Sequence, residues 1–279
     1  MSLFRIAAMA LCVLLFFTWG CTSTQGGKNA WKGTRTFYNR HVNKPAKLEF
    51  DASDPLKAYQ TALVEAIADV DFELVELLRA MDDSDRTPDE EWARGLLKRF
   101  PWLRGAFMAD GRGRLMSRVP AARQPLPDIN VLLASDSKQR PGDLRAAVLP
   151  GTDGPELYLA KPVYLQSDLR VIIVCHFDLR SLLARHGLPE KFMVLSGDTV
   201  LWPSVYNFAE TPLSGMDWNK LPLEDIEGTL KNKTGEFYWL ASFFANIQLV
   251  YAAPVKGGFS INPQQMSVLR SLRFAGAGN

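Results

Sequence analysis

The sequence predicts an α+β protein: a long N-terminal helix followed by antiparallel sheet, with the sheet pattern written twice in tandem. Three observations carry this. Apolar residues recur at spacings of three and four from Leu56 to Met81, the signature of one buried helix face. Two similar hairpin patterns, "FMADGRGRLMS" (107–117) and "FMVLSGDTVLWPS" (192–204), start about 85 residues apart. Each is followed by apolar runs of strand length separated by turn residues.

The N-terminus stands outside this fold. Arg5 precedes an unbroken apolar run, 6–17, and Gly20 precedes Cys21. The run has signal-peptide length and is too short for a membrane span, which needs roughly 20 residues. Gly20-Cys21 resembles a bacterial lipoprotein processing site, with cleavage before Cys21 and acylation of that cysteine. Thr18 and the bulky Trp19 depart from the usual small-residue pattern. The alternative is an uncleaved signal anchor, and both readings export the domain. We therefore expect a signal peptide at 1–20 and a lipid-anchored tether with an irregular lead-in at 21–54. The domain is expected to face the periplasm, on the outer membrane in preference to the inner. Of the remaining cysteines, Cys12 lies in the signal and Cys175 in the apolar run "VIIVCHF", so no internal disulfide is expected.

Composition is that of a globular protein, 47% hydrophobic and 22% charged, with a formal charge of +2. No basic face is visible, which argues against nucleic acid as a partner.

The elements run in order along the chain. Asp54 and Pro55 suit the start of the long helix, which runs to Met81 with Leu63, Ile67, Val70 and Leu74 on its apolar face. "DDSDRTPDEE" lacks the central Gly and closing Glu of a calcium loop and reads as a turn. Thr87, Pro88 and Glu90 form a capping signature for a second helix that ends near Arg99, before Pro101. The first hairpin spans 104–118. The Pro-rich stretch 120–143 holds a short helix and loops. Strands are expected at 144–149, 156–164 and 169–177, then a short helix ending at Gly187. The second hairpin precedes a polar region with Trp218, a short helix near 223–230, and two strands, "GEFYWLASFF" and "NIQLVYAAPV". A last helix begins at Asn262-Pro263 and carries Met266, Leu269 and Leu272.

Hairpin, loops and antiparallel strands thus occur at 104–177 and again, less completely, at 191–255. "LYLAKPV" (157–163) finds one echo in "YWLASFF" (238–244) and another in "LVYAAPV" (249–255), which leaves the register of the repeat open. The expected divisions are a first unit at 55–187, a second, degenerate unit at 188–262, and a C-terminal helix and tail at 263–279.

The long helix, "FPWLRGAFMADGRGRLMSR" and "GPELYLAKPVYLQSDLRVIIVCHFDLRSLL" resemble a Cache domain, the extracytoplasmic relative of the PAS fold in bacterial receptors. The resemblance covers 55 to about 186 and extends to 255 as a double-Cache module with a degenerate second copy. It implies two PAS-like units and a small-molecule pocket between a sheet and its covering loops, for amino acids, carboxylates or amines. The Arg-Trp-Tyr signature of the amino-acid-binding members is missing from "FPWLRG". The sequence ends at Asn279 with no output module of its own, so the expected sensor acts through a partner.

Candidate ligand residues come from strand geometry. Tyr158, Ala160, Pro162 and Tyr164 share one strand face, and Lys161 lies on the other with Leu157, Leu159 and Val163. Lys161 either lines a polar pocket or snorkels at the strand end. Asp178 binds a ligand amine or caps the helix beginning at Leu179. Arg145 pairs with a ligand carboxylate or is an exposed edge charge. With Tyr158 and Tyr164 as aromatic walls and Arg145 as anchor, an anionic or zwitterionic small molecule is the expected ligand. The competing expectation fills that space with Leu126, Ile129, Val131 and Leu132 and leaves a PAS-like scaffold for an envelope protein partner.

The sequence has no Gly-x-Ser-x-Gly, His-Glu-x-x-His or phosphate loop, and His41, His176 and His186 lack metal-like spacing. A non-enzyme without cofactor or metal is expected.

Overall fold

A computed structural model describes residues 55–83, 89–121, 128–133, 142–165, 167–222 and 225–276. The expected signal peptide at 1–20, Cys21 and the expected tether at 21–54 lie outside the described residues, as do Leu126 and Thr87.

Helix α1 (Pro55–Asp82) is the spine. Its 28 residues span roughly 42 Å at 1.5 Å each. Leu63, Ile67, Val70, Leu74, Leu77 and Met81 are all buried in one stripe, as their spacing requires. Helix α2 (Glu90–Arg99) starts one or two residues later than its capping signature suggested. The cap is Asp89, whose carboxylate accepts the backbone N–H of Trp92 at 2.8 Å.

The first sheet contains β1 (Gly105–Asp110), β2 (Leu115–Val119), β3 (Arg145–Gly151), β4 (Gly154–Leu165) and β5 (Asp168–Phe177). Its order is β2-β1-β5-β4-β3, with every neighbour antiparallel. The short helix α3 (Ile129–Leu133) lies between β2 and β3, and α4 (Leu179–Arg185) follows β5. The second sheet contains β6 (Met193–Ser196), β7 (Thr199–Trp202), β8 (Glu227–Lys231), β9 (Gly235–Phe244) and β10 (Ile247–Gly257). Its order, β7-β6-β10-β9-β8, repeats that of the first. The register of the repeat is thereby settled: β9 takes the place of β4, and β10 that of β5.

One expected element is corrected. No helix forms near 223–230 among the described residues. Short 3-10 turns occupy Phe208–Glu210, Pro212–Gly215 and Trp218–Lys220, and β8 then pairs with β9 from Glu227 onward. Leu221 and Leu230 instead both serve the apolar cluster under those turns. The last helix, α5 (Pro263–Gly276), begins where expected, with Asn262 Oδ1 accepting the N–H of Gln264 at 3.1 Å.

Each sheet buries both faces, so its central strands read as nearly continuous apolar runs. The helix-side faces of both sheets join α1, α4 and α5 in one core, with Leu157, Leu159, Ile173, Cys175 and Phe177 from the first sheet and Leu249, Tyr251 and Ala253 from the second. Phe177 meets Phe244 edge-on at 5.8 Å. Asn246, in the β9–β10 turn, accepts the N–H of Ala146 on β3 at 2.5 Å. These contacts join the two sheets directly. Cys175 is buried at the centre, and burial pushes its thiol up to about 12, so it packs as a small apolar group. Among the described residues no helix is long and apolar enough to cross a membrane.

Candidate functional site

Alternation along the strands assigns the opposite face of each sheet, the side covered by loops. On the first sheet this face carries Phe107, Ala109, Tyr158, Ala160, Ile172 and Val174, with Leu132 of α3 in the same cluster. Continuing the alternation puts Gly105, Glu156 and His176 at one end of that face. On the second sheet the equivalent face is closed by Phe237, Trp239, Leu213, Trp218 and Leu221, all buried together. Trp239 lies over Gly228, where a Cβ would come within 2.9 Å of the indole.

The polar end of the first face is a connected network. Glu156, at 6% exposure, accepts from Arg104 Nη1 at 2.6 Å, from the Tyr158 hydroxyl at 3.3 Å and from His176 Nδ1 at 3.0 Å. The Tyr158 and His176 rings stack at 5.1 Å and 9°. Gly105 leaves room for that ring: a Cβ there would sit 2.9 Å from His176 Nε2. Arg104 also reaches Asp178 at 3.2 Å and Asp153 at 3.2 Å. Burial opposes its charge, yet Asp178 and Glu156 raise the Arg104 pKa above its ordinary value. Burial pulls His176 below the usual histidine range against the pull of Glu156. Burial, then the Glu156 charge, pushes the Tyr158 hydroxyl up to about 12.

The residues singled out by sequence separate into three groups. Tyr158 and Arg145 lie on or beside the cover-side face; Arg145 pairs with Ala160 across β3 and β4 and is buried, not an exposed edge charge. Tyr164 belongs to the far end of β4, beyond a bulge after Val163, opposite Leu169. Six strand residues put it roughly 20 Å from Tyr158, so the two rings do not wall one pocket.

Lys161 and Asp178 are each committed elsewhere. Lys161 is on the helix side, where its ammonium donates to the carbonyl and carboxylate of Asp82 at the C-terminus of α1. It snorkels to a helix end whose dipole favours a cation. Asp178 caps α4, accepting the N–H of Arg180 at 2.9 Å, and is gripped by the guanidinium of Arg180 at 2.7 Å. Neither is offered to a ligand on the cover side.

Glu156, His176 and Arg104 were not found by sequence. Strand alternation could have placed Glu156 and His176 on the face of Tyr158, but only the pairing of Tyr158 with His176 and of Gly105 with His176 brings them into contact.

Of the apolar residues expected to fill the space, Leu132 does so at 1% exposure, whereas Val131 is 48% exposed. Among the described residues no group of three or more His, Cys, Asp or Glu could hold a metal ion.

No family model matches the chain, and no curated protein matches it. Solved structures do. The chain resembles the isoleucine-bound sensory domain of the Campylobacter jejuni chemoreceptor Tlp3, with 14% identity over 70% of this chain and 89% of that one, at a TM-score of 0.42. It also resembles the ligand-binding domain of the Pseudomonas aeruginosa PAO1 amino acid chemoreceptor PctC in complex with GABA, with 13% identity over 69% and 94% of the two chains and a TM-score of 0.44. A further likeness is to the sensor domain of the V. cholerae histidine kinase DctB, 12% identical over 82% of this chain and 98% of that one, at a TM-score of 0.33.

Proposed function

We propose that this chain is a lipid-anchored, periplasm-facing binding protein of the cell envelope, tethered through Cys21 and acting through a partner. Its first unit, 55–187, takes a small zwitterionic or anionic molecule on the cover side of the first sheet. The second unit, 188–262, is a degenerate copy with a structural role, followed by a helix and tail at 263–279. The observation that supports this reading is the asymmetry between two sheets of identical strand order. The second sheet's cover-side face is filled with tryptophan, phenylalanine and leucine. The first keeps Arg145, Glu156, Tyr158 and His176 around a floor of Phe107, Ala109, Ala160, Ile172 and Val174. Buried polar side chains at the end of an apolar floor are what orient a small ligand. Binding requires no chemistry of these groups beyond hydrogen bonds and charge.

Burial of Leu132 in the Tyr158 cluster favours a second reading, a PAS-like scaffold whose cover fills the face and whose outer surface meets an envelope protein.

A thermal-shift screen of the full chain against amino acids, carboxylates and amines separates the two. A saturating ligand raises the melting temperature by mass action, and Tyr158→Ala abolishes the shift. No shift with any member of those classes leaves the scaffold. Mass spectrometry of the N-terminus tests the anchor: an intact Met1 or an unmodified Cys21 overturns it.

A further inference from the structure

Each sheet ends in two edge strands, and three of the four edges are blunted. β2 and β7 each carry a bulge, with Met116 and Leu201 as the extra residues. β3 ends in Pro150-Gly151, and Asn246 takes the N–H of its Ala146. β8 (Glu227–Lys231) pairs with β9 without a bulge and contains no proline. Its Glu227, Thr229 and Lys231 are exposed. The backbone of these three residues faces outward as well. The carbonyl of Ile226 accepts the N–H of Ala241 at 2.7 Å, and the N–H of Asn232 donates to the carbonyl of Gly235 at 2.9 Å. Even positions along β8 thus bond to β9, and alternation turns the N–H and C=O of Glu227, Thr229 and Lys231 away from the sheet. Such a row of backbone groups is a template for another strand.

We infer that the strand it takes is β8 of a second copy. Two chains join edge to edge, antiparallel, about a twofold axis through Thr229, and the two five-stranded sheets become one. The charges select both the occupant and the direction. Charged residues usually protect an edge, because a copy carrying the same sign is repelled. Here Glu227 and Lys231 have opposite signs and stand equally far from Thr229. The antiparallel pair sets each Glu227 opposite the partner's Lys231, and Thr229 opposite the partner's Thr229, on one face of the joined sheet. All of these positions turn their backbone outward, so each pair exchanges both of its N–H···O=C bonds. On the other face Gly228 puts no side chain between the partner's Leu230 and the Trp239 ring that lies over it. A parallel in-register pair would set Glu227 against the partner's Glu227 and Lys231 against the partner's Lys231, which is unfavourable. Tyr238 donates its hydroxyl to Glu227, which anchors that carboxylate beside the edge.

Sedimentation velocity of the full chain in detergent micelles, over a range of concentrations, tests this. A five-residue edge is a small interface, so a reversible monomer–dimer equilibrium is expected. Lys231→Glu puts like charges on both sides of the seam and weakens the dimer about tenfold or more. Glu227→Lys does the same with the opposite sign. An equimolar mixture of the two variants restores the complex, because each supplies the charge the other lacks. Melting curves of the separate variants report that both are folded. Thr229→Pro removes an outward N–H that β9 does not use, and it dissociates the dimer whether or not Glu227→Lys folds. Thr229→Cys, joined by a short bis-maleimide, links to its own position in the second copy, as identified in the cross-linked peptides. A chain monomeric at every concentration overturns the inference. So does a dimer indifferent to Lys231→Glu and Thr229→Pro, which places the contact on another surface, or a mixture of the two folded charge variants that stays monomeric.

Discussion

Replacing Glu156 by alanine tests whether the polar end of the first sheet is a structural and functional unit. The carboxylate is buried and accepts from three groups, Arg104, Tyr158 and His176, which have few alternative partners on that face. Breaking a buried pair by deleting one member costs about 3–5 kcal/mol, because the remaining charge is left desolvated. Arg104 keeps Asp178 and Asp153, which moves the expectation for Glu156→Ala to the lower end, about 3 kcal/mol. For a domain of this size each kcal/mol shifts the melting temperature by roughly 2–4 °C, so a fall of about 6–12 °C is expected. Glu156→Gln keeps the shape and one acceptor and should lose about half of that. Thermal unfolding followed by near-UV circular dichroism measures both. His176 adds a pH arm. Its pKa is lowered in the fold, so below 6.5 the unfolded chain binds the proton more readily and stability is lost as pH falls. His176→Asn removes that loss. If Glu156→Ala melts within a degree of the wild type, the network does not exist as described. If His176→Asn leaves the acid limb unchanged, the histidine is not buried neutral.

Leu74→Asp places an unpaired carboxylate where a leucine is 3% exposed, at a cost of several kcal/mol, about 3 or more; a wild-type melting curve would reject the assignment of the α1 face. Asp71 is raised above 3.8 by burial, against hydrogen bonds from Tyr251 and Ser242, so its contribution to stability is full below 3.8 and is lost as pH rises through the folded value. Asp71→Asn should therefore melt higher than the wild type at pH 7, with the gap closing toward pH 3; a lower melting temperature at pH 7 refutes this. Gly105→Ala drives a methyl into His176 and should displace the ring from Tyr158, lowering the melting temperature and abolishing any ligand-induced shift. An unaltered response to both would show that the ring packs elsewhere.

The sequence by itself determined the elements whose information is local. The α1 stripe from Leu63 to Met81 is a matter of 3.6-residue periodicity, and β4, β5, β9 and β10 are apolar runs bounded by turn residues. The two hairpins declared themselves through glycine turns, and Asp178 and Asn262 through their place before helices. Alternation also put Tyr158 and Lys161 on opposite faces of β4. It could not say which face the long helix would cover, and so could not tell a ligand residue from a helix cap. Only strand order decided that β9 stands where β4 stands, because "YWLASFF" and "LVYAAPV" are equally good local echoes of "LYLAKPV". The site is likewise tertiary. Glu156 meets His176 and Arg104 across 20 and 52 positions of sequence, through pairings that no local pattern encodes. Tyr164 stands apart from Tyr158 for the same reason: period two gives a side, whereas a bulge and a strand's length give a position. The buried polar network forms because the sheet desolvates those groups together, and desolvation belongs to the fold, not to any stretch of chain.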